Sequence, residues 1–211
     1  MNIVLYGATG KTGSRILQEL ISRGHSVKAA VRDISKITPT DLITVVQDDL
    51  TDVAKIAAII GGADAVVSAY APPADNTDAL LGVTELQIKA VESTPGPKTR
   101  LIVVGGAGGL NVAPGVSLID SGHLPAPWLP IAKSHVEAYN LLKKSSIDWT
   151  YFAPGAFFEP GERTGKFRLG LDDLISNASH ESRISMEDYS IALVDELEKP
   201  AHHRQRFTIG Y

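Results

Sequence analysis

Gly7, Gly10 and Gly13 are the residues of this chain whose type and spacing bear most directly on chemistry. They lie in MNIVLYGATGKTG, where a short apolar run, Ile3-Val4-Leu5-Tyr6, stops at the first glycine. Gly7 permits a tight exit from a strand, Gly10 lets the backbone approach a pyrophosphate, and Gly13 lets the next helix pack near the sheet. Thr9, Lys11 and Thr12 add hydroxyl and ammonium donors. Residues 14–23 then have helical spacing, with Ile16, Leu17, Leu20 and Ile21 on one face. A helix starting here aims unpaired N–H groups and a partial positive charge at phosphates. The spacing is G-x-x-G-x-x-G, not G-x-G-x-x-G, and an ordinary strand-turn-helix connection without a ligand has the same outline. The strand before the loop, the helix after it and a second strand beyond favour a dinucleotide.

The elements that must position this loop alternate along the chain. Strands are expected at 27–31 (VKAAV), 43–46 (ITVV), 65–69 (AVVSA), 101–104 (LIVV), 149–152 and 207–209. Helices are expected at 51–60, 78–91 and 131–144, and a further one starts at Ser185 with a cap-like serine and early acids. Thr94-Pro95-Gly96-Pro97 stops the second of these helices. Near-continuous apolar strands imply that helices cover both faces of the sheet. The expected fold is α/β: one Rossmann-like domain over residues 1–211, a doubly wound parallel sheet with right-handed crossovers. Two stretches break the rhythm and read as irregular, 113–130 with four prolines and 159–182 with three glycines, apart from a small strand at 166–169.

Composition narrows the function. A 211-residue chain with 44% hydrophobic residues can bury one substantial core. A net charge of −4 with dispersed basic residues offers no attraction for nucleic acid. The absence of cysteine excludes disulfides, thiolate metal sites and a cysteine nucleophile. The chain opens on a core strand and has no long apolar run, so neither a cleaved leader nor a membrane span is expected, and the expected location is the cytoplasm.

The end of the second strand selects the dinucleotide. A carboxylate there accepts from the adenosine 2′-hydroxyl, whereas an arginine favours a 2′-phosphate. The sequence runs Val31-Arg32-Asp33, so NADP is expected over NAD, with Asp33 either competing or capping the turn at 34–36. Asp49 and Leu50, after the third strand, fit the adenine: the carboxylate accepts from its amine and the leucine packs on its ring. Asp49 has a helix cap as its alternative role.

GATGKTG, VRD, Asp49-Leu50-Thr51-Asp52, Val67-Ser68-Ala69, LIVVGGAGGL, APGAFFEPGERTGKFRLG and SRISMEDYSIALVDELEKP together resemble the atypical short-chain dehydrogenase/reductases. The likeness is to the group described as NADH-flavin reductase-like, or NAD(P)-binding proteins similar to biliverdin reductase B, and it spans essentially the whole chain. It implies further cofactor contacts at Ser68, Ala69, Tyr70, Gly105, Gly106, Lys133, Pro154, Gly155 and Ala156. The wider superfamily uses a Tyr-x-x-x-Lys pair, in which lysine holds the ribose and lowers the tyrosine pKa. Here Lys133 has the lysine's place, but four residues earlier stands Leu129. The upstream serine is missing too, replaced by Gly105-Gly106-Ala107. Tyr139 and Lys143 share the spacing but lie too far down the helix, and read as surface or packing residues.

No catalytic side chain is therefore expected. Hydride transfer to a flavin or quinone-like acceptor needs mainly stacking and orientation, and solvent can supply the proton. Trp128, Phe157 and Phe158 could stack on a flat substrate, although a core role suits the two phenylalanines equally. Glu159 and Glu162 read as an acid/base pair or as solvated charges, His123 as a loop histidine, and His202-His203 lack metal-ligand spacing. The expected function is an NADPH-favouring reductase of a small flat acceptor, acting as a monomer or homodimer. The alternative is a non-catalytic NADP(H) sensor similar to the NmrA-like regulators. An epimerase or isomerase is disfavoured by the absent tyrosine.

Overall fold

The computed structural model describes residues 1–95 and 99–211. Gly96 and Pro97 of the expected helix stop lie outside them. The order is β1 (Asn2–Tyr6), α1 (Lys11–Ser22), β2 (Ser26–Val31), β3 (Ile43–Gln47), α2 (Val53–Ile60), β4 (Ala65–Ser68), α3 (Ala79–Ser93) and β5 (Arg100–Val104). A small hairpin, β6 (Asn111–Ala113) and β7 (Val116–Ser117), precedes α4 (Leu129–Lys144) and β8 (Trp149–Ala153). Then come β9 (Phe157–Glu159), β10 (Arg168–Gly170), β11 (Arg183–Ser185), α5 (Met186–Glu198) and β12 (Gln205–Gly210).

The main sheet has the order β3-β2-β1-β4-β5-β8-β12-β10. Its pairs are parallel except at the edge, where β10 runs antiparallel to β12. The chain winds outward from β1 in one direction through β2 and β3, and in the other through β4, β5, β8 and β12. Between β1 and β4 the winding reverses, which opens a crevice at the carboxyl ends of the strands.

Burial explains the strand sequences. Ile3 and Leu5 of β1 face a cluster built from α1 and α5, including Ile16, Leu20, Tyr189 and Leu193. Val4 and Tyr6 face the other side, with Ile56, Ile60, Val91 and Leu142 from α2, α3 and α4. Both faces are covered, so alternation of apolar and polar residues disappears.

Several boundaries move for identifiable reasons. The expected helix at 51–60 starts at Val53 because Asp52 is its N-cap, accepting from Ala54 N at 2.8 Å and Lys55 N at 3.3 Å. α4 starts two residues early, with Pro130 in its first turn, where a missing N–H costs nothing. The stretch 113–130 read as irregular holds β7 and begins on the last residue of β6, while β9 and β11 flank the stretch 159–182 and pair in parallel as a separate two-stranded sheet. The small strand lies at 168–170 instead of 166–169.

Two glycines give opposite expectations on substitution. A Cβ on Gly13 would lie 2.0 Å from the Gly7 carbonyl oxygen, whereas one on Gly82 of α3 would meet nothing within 4 Å. Gly13→Ala should destabilise by about 1–3 kcal/mol or more through backbone displacement. Gly82→Ala should be neutral or stabilise by up to about 1 kcal/mol. Thermal melts of the two variants check this; similar melting temperatures would refute the packing assigned to the loop.

Candidate functional site

The loop after β1 is shaped by backbone touching backbone. Gly7 has φ of +78°, and a Cβ there would lie 2.2 Å from the Ala69 carbonyl oxygen just beyond β4. Gly13 presses on the Gly7 carbonyl from the helix side. Gly10 N donates to Gly7 O at 2.9 Å and closes the turn. Gly10 is also the N-cap of α1 and brings no capping side chain. The first bond of the helix runs from Ser14 N to Gly10 O at 2.9 Å, so the amides of residues 11–13 precede it at the helix start. Thr9, Gly10 and Lys11 are exposed. Arg15 braces the loop from behind, donating from its guanidinium to Lys11 O at 2.7 Å and from Nε to Glu187 at 2.5 Å.

Beside the loop lies a cavity of about 140 Å³ lined by Tyr6, Gly7, Thr9, Gly10, Ala30, Val31, Arg32, Asp48, Asp49, Leu50, Ala69, Tyr70 and Ala71. Larger grooves exist elsewhere, including one of about 300 Å³ along β9 and β11 that touches Phe157, Glu159, Glu162 and Arg183. The smaller one sits at the strand reversal. Arg32 is exposed, and its carbonyl is held by Gln47 Nε2 at 3.1 Å. Asp33 caps the 34–36 turn, accepting from Ser35 N at 3.0 Å and Ser35 Oγ at 2.6 Å. Those bonds hold its carboxyl below the usual carboxylate range. Asp49 accepts from Thr51 Oγ1 at 2.7 Å, which lowers its pKa as well, and the helix cap considered for it falls to Asp52.

Two residues of this cavity were not anticipated from the sequence. The buried Tyr6 hydroxyl donates to the buried Asp48 carboxylate at 3.0 Å. Burial, followed by the Asp48 charge, raises the Tyr6 pKa. Asp48 Oδ1 also faces Leu50 N at 3.4 Å and Lys55 Nζ at 3.8 Å. Leu50 adopts φ of +62°, a left-handed conformation costly for a branched side chain. That kink buries the Leu50 side chain in the core while Asp49 remains outside.

The remaining expected cofactor positions lie along the carboxyl ends of β4, β5 and β8. Ser68 is buried, and Tyr70 is half-buried at the cavity wall. A Cβ on Gly105 would be 2.4 Å from Tyr151 Cε1, and one on Gly106 would be 2.9 Å from His135 Cγ. Gly106 N donates to the Tyr151 hydroxyl at 2.9 Å. Pro154 and Gly155 are buried, with Gly155 pressed on the Arg183 backbone, and Ala156 N donates to Ser182 Oγ at 3.1 Å. Lys133 is exposed on α4. Tyr139 is packed between Trp149 and Tyr151, at centroid distances of 5.9 and 5.1 Å, with Lys143 Nζ 4.7 Å from its ring centroid.

The three aromatics proposed for a flat substrate divide. Trp128 and Phe157 are 43% and 46% exposed and meet edge to face at 6.0 Å. Phe158 instead packs on Tyr189 at 4.7 Å against the core, so its ring is engaged in holding α5. Glu159 and Glu162 line the 300 Å³ groove, and His123 is an exposed loop residue. His202 pairs with Glu196 at 2.7 Å and His203 with Asp148 at 2.8 Å.

A glycine loop opening a helix at a strand reversal, beside a cavity carrying arginine and aspartate, defines a dinucleotide-binding α/β protein. The NAD(P)H-binding family profile matches residues 7–200, and the chain belongs to that family, in an atypical short-chain dehydrogenase/reductase-like group. The uncharacterized protein YwnB of Bacillus subtilis is 40% identical over 215 residues, covering 99% of this chain and 98% of its own. A Bacteroides thetaiotaomicron structure, provisionally called an epimerase, shares 43% identity with a TM-score of 0.91, covering 100% of this chain and 96% of that one. A Streptococcus pneumoniae structure, provisionally called an NADH-flavin reductase, shares 31% identity with a TM-score of 0.89, covering 100% and 99%. No helix among the described residues is long and apolar enough to cross a membrane.

Gly10 tests the loop directly. Its φ of −78° is open to any residue, and a Cβ would meet only Gly7 O at 3.2 Å. Gly10→Val should leave the protein folded and abolish NADPH binding. Titration of the folded variant by NADPH fluorescence is the check, and an unchanged affinity would overturn the phosphate assignment.

Proposed function

We propose that this protein is an NAD(P)H-dependent reductase that favours NADPH and passes hydride directly to a flat acceptor such as a flavin or quinone. The observation that carries this reading is the start of α4. There Leu129 occupies the place of a proton-relaying tyrosine, directly after Trp128 and its exposed partner Phe157. An exposed aromatic couple at the carboxyl edge suits stacking of a planar ring. The Streptococcus pneumoniae relative's description points the same way. Trp128 and Phe157 are retained as acceptor contacts; Phe158 is not.

The cofactor's chemistry is hydride donation from its dihydronicotinamide. The chain's own part is to bind and orient. The amides of residues 11–13, with Thr9, Lys11 and Thr12, hold the pyrophosphate. Asp49 and Leu50 hold the adenine, and Lys133 the ribose. Ser68, Ala69, Tyr70, Gly105, Gly106, Pro154, Gly155 and Ala156 border the nicotinamide end. Solvent supplies the proton. Arg32 favours NADPH because it is exposed at the cavity while Asp33 is committed to Ser35.

Arg32→Ala removes a charge-assisted contact of about 1.5–3 kcal/mol, so it should weaken NADPH by roughly tenfold or more and leave NADH nearly unchanged. Equal losses for the two cofactors would remove the preference.

The reaction is tested by NADPH oxidation against a panel of flavins and quinones. Tyr139→Phe should be nearly silent. With NADPH saturating, Lys133→Ala should retain far more turnover than the roughly 10²–10⁴-fold loss that follows removal of a general acid. Wild-type protein that binds NADPH but fails to oxidise it with any of these acceptors would point to the sensor reading instead.

A further inference from the structure

Glu187, in the first turn of α5, ties together two parts of the chain that lie far apart in sequence. Its Oε1 accepts from Arg15 Nε at 2.5 Å, and its Oε2 accepts from Gly161 N at 2.7 Å. Partial burial alone would push its pKa up, but Arg15 and the Gly161 amide outweigh that and hold it below the usual carboxylate range, so the group is charged near pH 7. Each end of this bridge meets a ligand surface. Arg15 Nη1 donates to Lys11 O at 2.7 Å, where Ser14 Oγ also donates at 3.2 Å. That carbonyl and the Thr12 N–H belong to one trans peptide unit and point in opposite directions. Fixing the carbonyl therefore fixes the direction of an amide at the open start of α1. At the other end, Gly161 lines the groove of about 300 Å³ along β9 and β11, together with Phe157 and Glu162.

We propose that Glu187 is a positioning residue that couples the dinucleotide site to this groove: a phosphate on the Thr12 amide tightens the run Lys11–Arg15–Glu187 and so orders Gly161 at the groove wall. This rests on the phosphate assignment of the glycine loop, and not on the identity of any acceptor. An anion accepting from Thr12 N–H polarises that peptide and makes Lys11 O a stronger acceptor for Arg15. Arg15, held more firmly, keeps its Nε on one oxygen of Glu187 and leaves the other on Gly161. Ordering paid for at one site is then saved at the other, which is positive coupling without a large displacement. Neighbouring contacts supply the contrast. Gly165 N donates to Asp188 at 2.8 Å, and the other donors to that carboxylate are Thr164 and Tyr211, none of them in the glycine loop. Arg163 pairs with Glu19 at 2.9 Å, a second link to α1 further down the helix from the loop.

The experiment follows amide hydrogen exchange at Gly161 and Gly165 by NMR, with and without saturating NADP⁺, alongside NADP⁺ affinity by calorimetry. Wild type is compared with Glu187→Gln, Arg15→Met and Arg163→Ala. A carboxamide has one oxygen, so Glu187→Gln severs the bridge on one side or the other while keeping its shape. Arg15→Met severs it from the glycine loop and keeps the apolar stem. In the wild type, NADP⁺ should slow exchange at Gly161 by about fivefold or more and leave Gly165 unchanged. Glu187→Gln and Arg15→Met should both lose that response and bind NADP⁺ more weakly by a similar factor, because coupling is reciprocal. Arg163→Ala should keep the response and the affinity. A Gly161 response that survives both bridge variants, one lost in Arg163→Ala, equal slowing at Gly165, or no slowing in a wild type that binds NADP⁺ would each overturn the proposal. A wild type that does not bind NADP⁺ would overturn the cofactor reading itself, and the proposal with it.

Discussion

The contact among Gly7, Gly13 and the Ala69 carbonyl is the constraint around which the rest of the molecule is arranged. Three backbone segments, from β1, α1 and the end of β4, approach within distances that no side chain permits. The helix start is thereby held over the crevice at the strand reversal. Dispersion and burial supply the stability of the two core layers, but they do not dictate where α1 begins. The close approach does, and it aligns the uncapped amides and the helix dipole on one spot.

Around that point, ion pairs and hydrogen bonds tie the later part of the chain to the early part. Arg15 links the glycine loop to Glu187, and Glu187 in turn accepts from Gly161 N at 2.7 Å. Asp188, fully buried at the start of α5, accepts from Thr164 N, Thr164 Oγ1, Gly165 N and the Tyr211 hydroxyl. The segment following β9 is held by these two adjacent acids together with Ser185 Oγ, which donates to Glu162 O, and Glu19, which pairs with Arg163. A buried carboxylate with four donors is well satisfied, whereas removing one donor would expose the cost of its desolvation. The same logic applies to Arg100 and Glu196, a buried pair that also engages Thr150 and His202.

Local signals were legible in the sequence and long-range ones were not. The glycine spacing, the apolar strands and the cap at Ser185 depend on residues close together in the chain, and they define the α/β fold; the cap of α2 fell to Asp52, not to Asp49. Whether Asp33 caps its own turn was open until Ser35 was seen on its carboxylate. The Tyr6–Asp48 pair spans 42 residues and the Tyr151–His135 contact 16, and neither leaves a periodic trace. Of the adjacent Asp48 and Asp49, one is buried and the other exposed, and Leu50 after them is left-handed, a fact with no marker in a leucine. Phe157 and Phe158 differ for a simpler reason: successive residues of β9 face opposite ways, and only one face meets Tyr189.

Leu50 also bears on how this protein would respond to engineering. A screen that rewarded only heat resistance would meet a branched side chain in a conformation that glycine or asparagine adopts more cheaply. Replacement there would relax the backbone while removing apolar surface from the wall of the cavity beside the glycine loop. Because the Leu50 side chain is buried in the core, losing it costs about 2–5 kcal/mol against a backbone relief of about 1–2 kcal/mol, so selection for heat resistance alone would keep the leucine together with its unfavourable backbone conformation.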